Sequence, residues 1–126
     1  TERILTVNPG VVMKFQNAGI FTYGRLIADG TETNPITFTS YRDAFTGADP
    51  DGNATELAQP GDWYGLGFNA SLFEAQNILN HTAVRFGGGG SSSNDFHSEI
   101  DSSFGADRSA GIYTFNSDIT IKNIFI

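Results

Sequence analysis

Short runs of alternating apolar and polar residues recur along this chain, each closed by Gly, Asn, Asp or Pro. Ile4-Leu5-Thr6-Val7 gives way at Asn8-Pro9-Gly10 to Val11-Val12-Met13-Lys14-Phe15. The pattern resumes at 20–23, 26–28 and 36–40, and it predicts further strands at 63–68, 78–86, 111–115 and 119–124. A period of two, in runs this short and this rich in Ile, Val, Phe and Thr, is the mark of β-strands. Helical spacing is nearly absent. The one stretch with mixed three- and four-residue spacing, 70–80, is expected to be a strand approach or a single turn.

Two arrangements of such strands are open, an antiparallel sandwich or a solenoid of short strands wound in one direction. The hairpin signal of two strands joined directly by Asn-Gly or Asp-Gly is mostly missing. Asp29-Gly30 is followed by several polar residues, and Asp51-Gly52 sits inside a long loop. The strands also fall into loosely similar blocks of roughly twenty-odd residues, the length a β-solenoid coil needs.

Gly24-Arg25-Leu26-Ile27-Ala28-Asp29-Gly30-Thr31, followed by Asn34-Pro35-Ile36-Thr37-Phe38-Thr39-Ser40, resembles a recurring phrase of right-handed parallel β-helix proteins of the pectate-lyase-like superfamily. The run 7–15 resembles the phrase that precedes it, and Gly61-Asp62-Trp63-Tyr64-Gly65-Leu66-Gly67-Phe68 the phrase that follows an Asp-rich loop. Val84-Arg85-Phe86-Gly87-Gly88, Gly111-Ile112-Tyr113 and Ile119-Thr120-Ile121-Lys122-Asn123 look like later coils. The resemblance implies an all-β, right-handed parallel β-helix of about four coils, with long loops at 44–60 and 89–108. It implies little about function, since the superfamily holds enzymes, adhesins, tailspikes and surface-layer proteins alike. In such a coil Leu26, Ala28, Ile36, Phe38, Leu66, Phe68, Val84, Phe86, Ile112, Ile119 and Ile121 would point inward and stack in ladders. Full burial of each is worth about 1.5–3 kcal/mol.

Composition agrees with a single unit over 1–126, or one segment of a longer solenoid: 126 residues are few for two domains, and 39% hydrophobic content suffices for a core. The net charge of −7 disfavours nucleic acid and anionic membrane surfaces as partners. No apolar run approaches the ~18 residues of a membrane span, so no membrane insertion is expected. With no Cys there are no disulfides, thiolate metal sites or Cys nucleophiles. The chain starts at Thr1 without Met, which reads as a mature or trimmed chain lacking its leader. An extracellular or cell-surface location is the expectation.

The most chemical-looking segment runs from Tyr41 to Asp62. Asp49-Pro50-Asp51-Gly52-Asn53 alternates oxygen donors as calcium loops do, which makes Asp49, Asp51, Asn53 and Glu56 candidate Ca²⁺ ligands. It is not an EF-hand: Ala54 stands where that loop needs Gly, and Pro60 where it needs a bidentate Glu. Plain solvated turn is the competing reading. Carboxylates for glycoside cleavage could come from Asp43, Asp62, Asp95, Glu99, Asp101, Asp107 or Asp118, but no pair stands out. The phrases that carry catalysis in the pectate lyases and polygalacturonases are missing here, so no catalytic residue and no enzyme are expected. His81 and His97 lack metal-spaced partners; His81 reads as a packing or edge residue. Gly87 to Asn94 reads as a flexible loop. Trp63, Tyr64 and Phe68 suit either a sugar-stacking platform or the core, with packing favoured. Asn53, Asn69 and Asn80 begin N-glycosylation sequons.

The reading that emerges is a non-enzymatic structural or surface β-solenoid. The apolar, strand-like start at Ile4 and finish at Ile126 suggest copies stacking end to end into a filament, or neighbouring coils of a longer chain. The alternatives are a carbohydrate-binding or polysaccharide-cleaving module, and a fragment of a larger adhesin.

Overall fold

A computed structural model describes residues 3–69, 76–89, 111–115 and 118–125. These contain nine strands and no helix: β1 (Ile4–Val7), β2 (Val12–Phe15), β3 (Gly19–Thr22), β4 (Arg25–Asp29), β5 (Ile36–Ser40), β6 (Gly65–Asn69), β7 (Gln76–Val84), β8 (Ile112–Phe115) and β9 (Asp118–Phe125). The fold is therefore all-β, and every described pairing is parallel. The absence of hairpin turns in the sequence has its cause here: parallel neighbours cannot be joined by a tight turn.

The pairing is orderly. β1, β2 and β3 pair with β4, β5 and β6 respectively, in registers Leu5↔Leu26, Met13↔Phe38 and Ile20↔Leu66. β7 then lies along two strands in succession, Ile78 opposite Ile27 of β4 and Val84 opposite Phe38 of β5. β8 pairs with β6, and β9 follows β7 through both halves. The result is a curled parallel sheet containing β1, β4, β7, β5, β2 and β9, beside a second sheet of β3, β6 and β8.

The curl has a backbone cause. His81, in the middle of β7, has φ 44°, and Asn123, at the matching place in β9, has φ 48°. A left-handed residue within a strand turns its direction, and Asn tolerates that conformation better than most residues. Beside them on β4's side stands Gly30, where a Cβ would lie 2.7 Å from the His81 carbonyl oxygen.

Val7, Leu26, Ala28, Ile36, Phe38, Trp63, Leu66, Phe68, Leu79 and Val84 form the buried core. Seven of the expected inward residues are in this set. Phe86, Ile112 and Ile119 are half-buried, and Ile121 is 42% exposed because β9 has a described partner on one side only. The strand ends also differ from expectation. β6 begins at Gly65 and excludes Trp63, and β7 stops at Val84, before Phe86 with φ 62°. Of the ambiguous 70–80 stretch, 76–80 is strand, and 70–75 lies outside the described residues.

The 44–60 segment carries no strand, as expected. Most of the other long loop, 90–108, lies outside the described residues. Its glycine-rich approach is not a free spacer. Gly89 N–H donates to Trp63 O at 2.8 Å, and a Cβ on Gly89 would fall 1.7 Å from Gly61 O. Glycine is required there because two backbones touch.

Candidate functional site

The long loop after β5 folds back over the outer face of the curled sheet. Register places Lys14 of β2 beside Thr39 of β5, and Arg85 N–H donates to Phe38 O just across β5 at 2.9 Å. Two cations thus flank one hydroxyl, and the loop supplies the anion between them. Asp43 is fully buried. Its Oδ2 accepts from Thr39 Oγ1 at 2.7 Å and lies 3.4 Å from Arg85 Nη1, while Oδ1 accepts from the backbone N–H of Phe45 and of Thr46, both at 3.1 Å. Arg85 also donates to Thr46 Oγ1 at 2.9 Å, and its guanidinium sits 4.9 Å above the Phe86 ring. Lys14 Nζ donates to the carbonyl oxygens of Asp43 and Ala48. Burial pushes the Asp43 carboxyl up, but the hydrogen bonds from Thr39, Thr46 and Phe45 together with the Arg85 charge outweigh it, and the net shift is below the ordinary carboxylate value.

The other end of the loop is tied down the same way. Asp62 Oδ2 accepts from Ser40 Oγ at 2.7 Å and from Gln59 N–H at 3.1 Å. Trp63 is buried, stacks on Phe15 with centroids 4.6 Å apart, and donates from Nε1 to Arg85 O at 2.7 Å. Its ring faces protein on the Phe15 side, so Trp63 offers no platform to a sugar. Beside Asp62 lies a polar hollow of about 170 Å³ bordered by Phe15, Gln16, Ser40 and Arg42. Of the acids considered for glycoside cleavage, Asp43 and Asp62 are therefore anchors. Asp95, Glu99, Asp101 and Asp107 lie outside the described residues, as does the side chain of Asp118.

Of the four candidate Ca²⁺ ligands, the fold brings Asp49 and Asp51 against each other. A hydrogen bond that the acid form of Asp49 donates to the Asp51 carboxylate raises the Asp49 pKa, with desolvation and the Asp51 charge adding to it and Lys14 opposing it. Asp51 is held low, chiefly by Asn53 N–H, which donates to its Oδ1 at 2.9 Å. Asn53 Oδ1 accepts from Thr55 N–H at 3.3 Å and Glu56 Oε1 from Ala58 N–H at 2.8 Å. Each side chain thus caps its own backbone two residues on, the usual behaviour of turn-forming acids and amides. Asp49 Oδ1 and Glu56 Oε2 are nevertheless buried without a hydrogen-bond partner. No group of three His, Cys, Asp or Glu suited to a metal occurs among the described residues.

Among the sequon asparagines, Asn53 is exposed, Asn69 ends β6 with its side chain outside the described set, and Asn80 is half-buried with its amide engaged by Asp29 and Asn123. His97 is outside the described residues.

Sequence reasoning missed Lys14, Thr39, Ser40 and Arg85. A signal was available: Lys14 and Arg85 are two of only seven Lys and Arg residues, and each interrupts an apolar strand pattern on its outward side. In comparisons with known proteins the chain matches no family model, no curated protein and no solved structure.

Proposed function

We propose that this chain is about four coils of a right-handed parallel β-helix of the pectate-lyase-like type, acting as a non-enzymatic structural element at a cell surface or outside the cell. The observation that carries the reading is the pairing order: β1, β2 and β3 on β4, β5 and β6, then β7 across both β4 and β5, with β9 on β7. Repeated parallel stacking of this kind is how a solenoid wall is built, and right-handed winding is the hand parallel crossovers take. Asp43 and Asp62, two of the acids considered for glycoside cleavage, hold the long loop in place, which favours a scaffold over a reaction centre.

Partners follow from the two edges. Ile4 and Leu5 on β1 are 51% and 47% exposed, and Ile121 and Phe125 on β9 are 42% and 75% exposed. Among the described residues each of these two strands has a partner on one side only, and another strand can extend the other side. The occupant is a further parallel coil, supplied by a second copy in a filament or by a longer chain. Electron microscopy of the purified chain, beside an Ile121→Asp/Phe125→Asp variant, tests self-stacking. Filaments from the unmodified chain only support it, and a monodisperse monomer removes it. A screen on neutral and acidic polysaccharides tests the scaffold reading itself; reproducible turnover would favour the polysaccharide-cleaving alternative.

One observation supports a Ca²⁺ site as a second reading. The two buried oxygens lacking partners, Asp49 Oδ1 and Glu56 Oε2, both belong to the four residues with calcium-loop spacing. A hard cation would satisfy such oxygens and relieve the Asp49–Asp51 repulsion. Lys14 already supplies one positive charge to this pair. Chelation should lower the melting temperature if the site binds Ca²⁺, and Asp49→Ala with Asp51→Ala should abolish that shift.

A further inference from the structure

At the bend of the curled sheet, a chain of side-chain hydrogen bonds crosses three strands. Asn80 Nδ2 of β7 donates to Asp29 Oδ1 of β4 at 2.8 Å. Asn123 Nδ2 of β9 donates to Asn80 Oδ1 at 3.1 Å and meets His81 Nε2 at 3.3 Å. The direction of this chain is set at one end. A carboxylate only accepts, so Asn80 must turn its NH₂ towards Asp29 and present its oxygen to Asn123. Asn123 must then present its own NH₂, whose second hydrogen points at His81. His81 Nε2 can serve only as an acceptor, which fixes the neutral imidazole with its proton on Nδ1.

Protonation leaves this arrangement no good alternative. An imidazolium sets N–H against N–H at Asn123. Turning the Asn123 amide over sets its oxygen against Asn80 Oδ1, and turning Asn80 as well sets oxygen against the Asp29 carboxylate. Turning the imidazole away gives up the Asn123 contact. One hydrogen bond is lost on every route, and it lies where the left-handed residues His81 and Asn123 interrupt the β7–β9 ladder. The charged groups nearby do not reverse the sign. Asp29 is engaged by Asn80, Lys122 is the register neighbour of Asn80, and Glu32 shares a groove of about 600 Å³ with His81. Among the described residues the one salt bridge is Arg85–Asp43.

We propose that the Asn80–Asn123–His81 chain is a pH-sensitive clasp that holds β9 on β7 while His81 is neutral and loosens it when His81 is protonated.

Amide hydrogen exchange at pH 7.5 and 5.0, corrected for intrinsic rates, tests this on the intact chain. Protection of the β9 amides around Asn123 should fall about fivefold at pH 5.0, the loss of roughly one ordinary hydrogen bond, while β3 and β6 amides keep theirs. His81→Asn retains an acceptor and a residue suited to positive φ, and should lose the pH response. Equal β9 protection at both pH values, or the same fall in His81→Asn, overturns the proposal. Imidazole nitrogen spectra of the unmodified chain at pH 7.5 decide independently: the Nδ1–H tautomer is expected, and a proton on Nε2 rules the clasp out.

Discussion

Asp43 Oδ2 lies 3.4 Å from Arg85 Nη1, joining a loop residue just past β5 to the residue just past β7. Asp43 is completely buried, whereas the Arg85 side chain keeps 41% of its surface in solvent. The contact works as a clip: the carboxylate is desolvated once, on folding, and four groups offset it, Thr39, the N–H of Phe45 and of Thr46, and Arg85, while Lys14 holds the backbone carbonyl of the same residue.

Removing the clip should therefore cost more than a surface ion pair. Asp43→Ala leaves Thr39 and two backbone N–H groups without their acceptor and Arg85 without its counter-charge, and a loss of about 3 kcal/mol is expected. Urea unfolding monitored by tryptophan fluorescence measures it. A change below about 1 kcal/mol would mean that the loop is held elsewhere.

The same carboxyl governs part of the acid response. Its folded pKa is below the unfolded value near 3.8, so Asp43 contributes stability above that value, and the contribution disappears as pH falls through the folded pKa. The urea midpoint should drop between about pH 5 and 2, and Asp43→Asn should show a shallower drop from a lower starting point. An unchanged acid slope in the variant would place the titrating group elsewhere.

Asp49 has the opposite sign. Its pKa is raised by Asp51, so the ionised Asp49 carboxyl is unfavourable at neutral pH and this cost eases as pH falls. In chelating buffer at pH 7, Asp49→Asn should leave the melting temperature unchanged or slightly higher. If calcium fills the loop, the same substitution should lower the melting temperature in calcium-containing buffer, and differential scanning fluorimetry in the two buffers separates these outcomes.

Trp63 locks the end of the loop to the core. Trp63→Phe keeps ring packing on Phe15 but loses the 2.7 Å bond to Arg85 O, an expected loss of about 1–2 kcal/mol. Trp63→Leu also loses the stacking and leaves a cavity, for about 3–5 kcal/mol. Chemical denaturation followed by circular dichroism distinguishes the two steps.

Gly89→Ala tests whether the glycine run is a spacer or a packing surface. The added methyl would meet Gly61 backbone at 1.7 Å, where no side chain can move aside. A destabilisation of at least about 2 kcal/mol is expected, against about 1 kcal/mol for Gly52→Ser, whose Cβ has open space around it and whose cost is only the strain of its φ of 67°.

Much of the strand content was legible because strand alternation is local: the side chains of Leu26, Ala28, Ile36 and Phe38 alternate inward whatever their partners are. The missing hairpin signals likewise foretold parallel neighbours, since turn chemistry is written within a few residues. Calcium-loop spacing at Asp49 and Asp51 did place two carboxylates together, again a short-range effect. What the tertiary structure decided was which distant residues meet. Asp43 looked like one more loop acid until the fold set it over Thr39 between Lys14 and Arg85. Trp63 fell outside its predicted strand because the loop closes on Phe15 and on Arg85 O. Ile121 had a core residue's pattern but lies on an edge strand. His81 read as an ordinary strand residue, and only the stacking of β9 on β7 put Asn123 against its ring. Periodicity reports which way a side chain points; neighbours across the sheet and over the loop depend on register and on the bends, which no local pattern encodes.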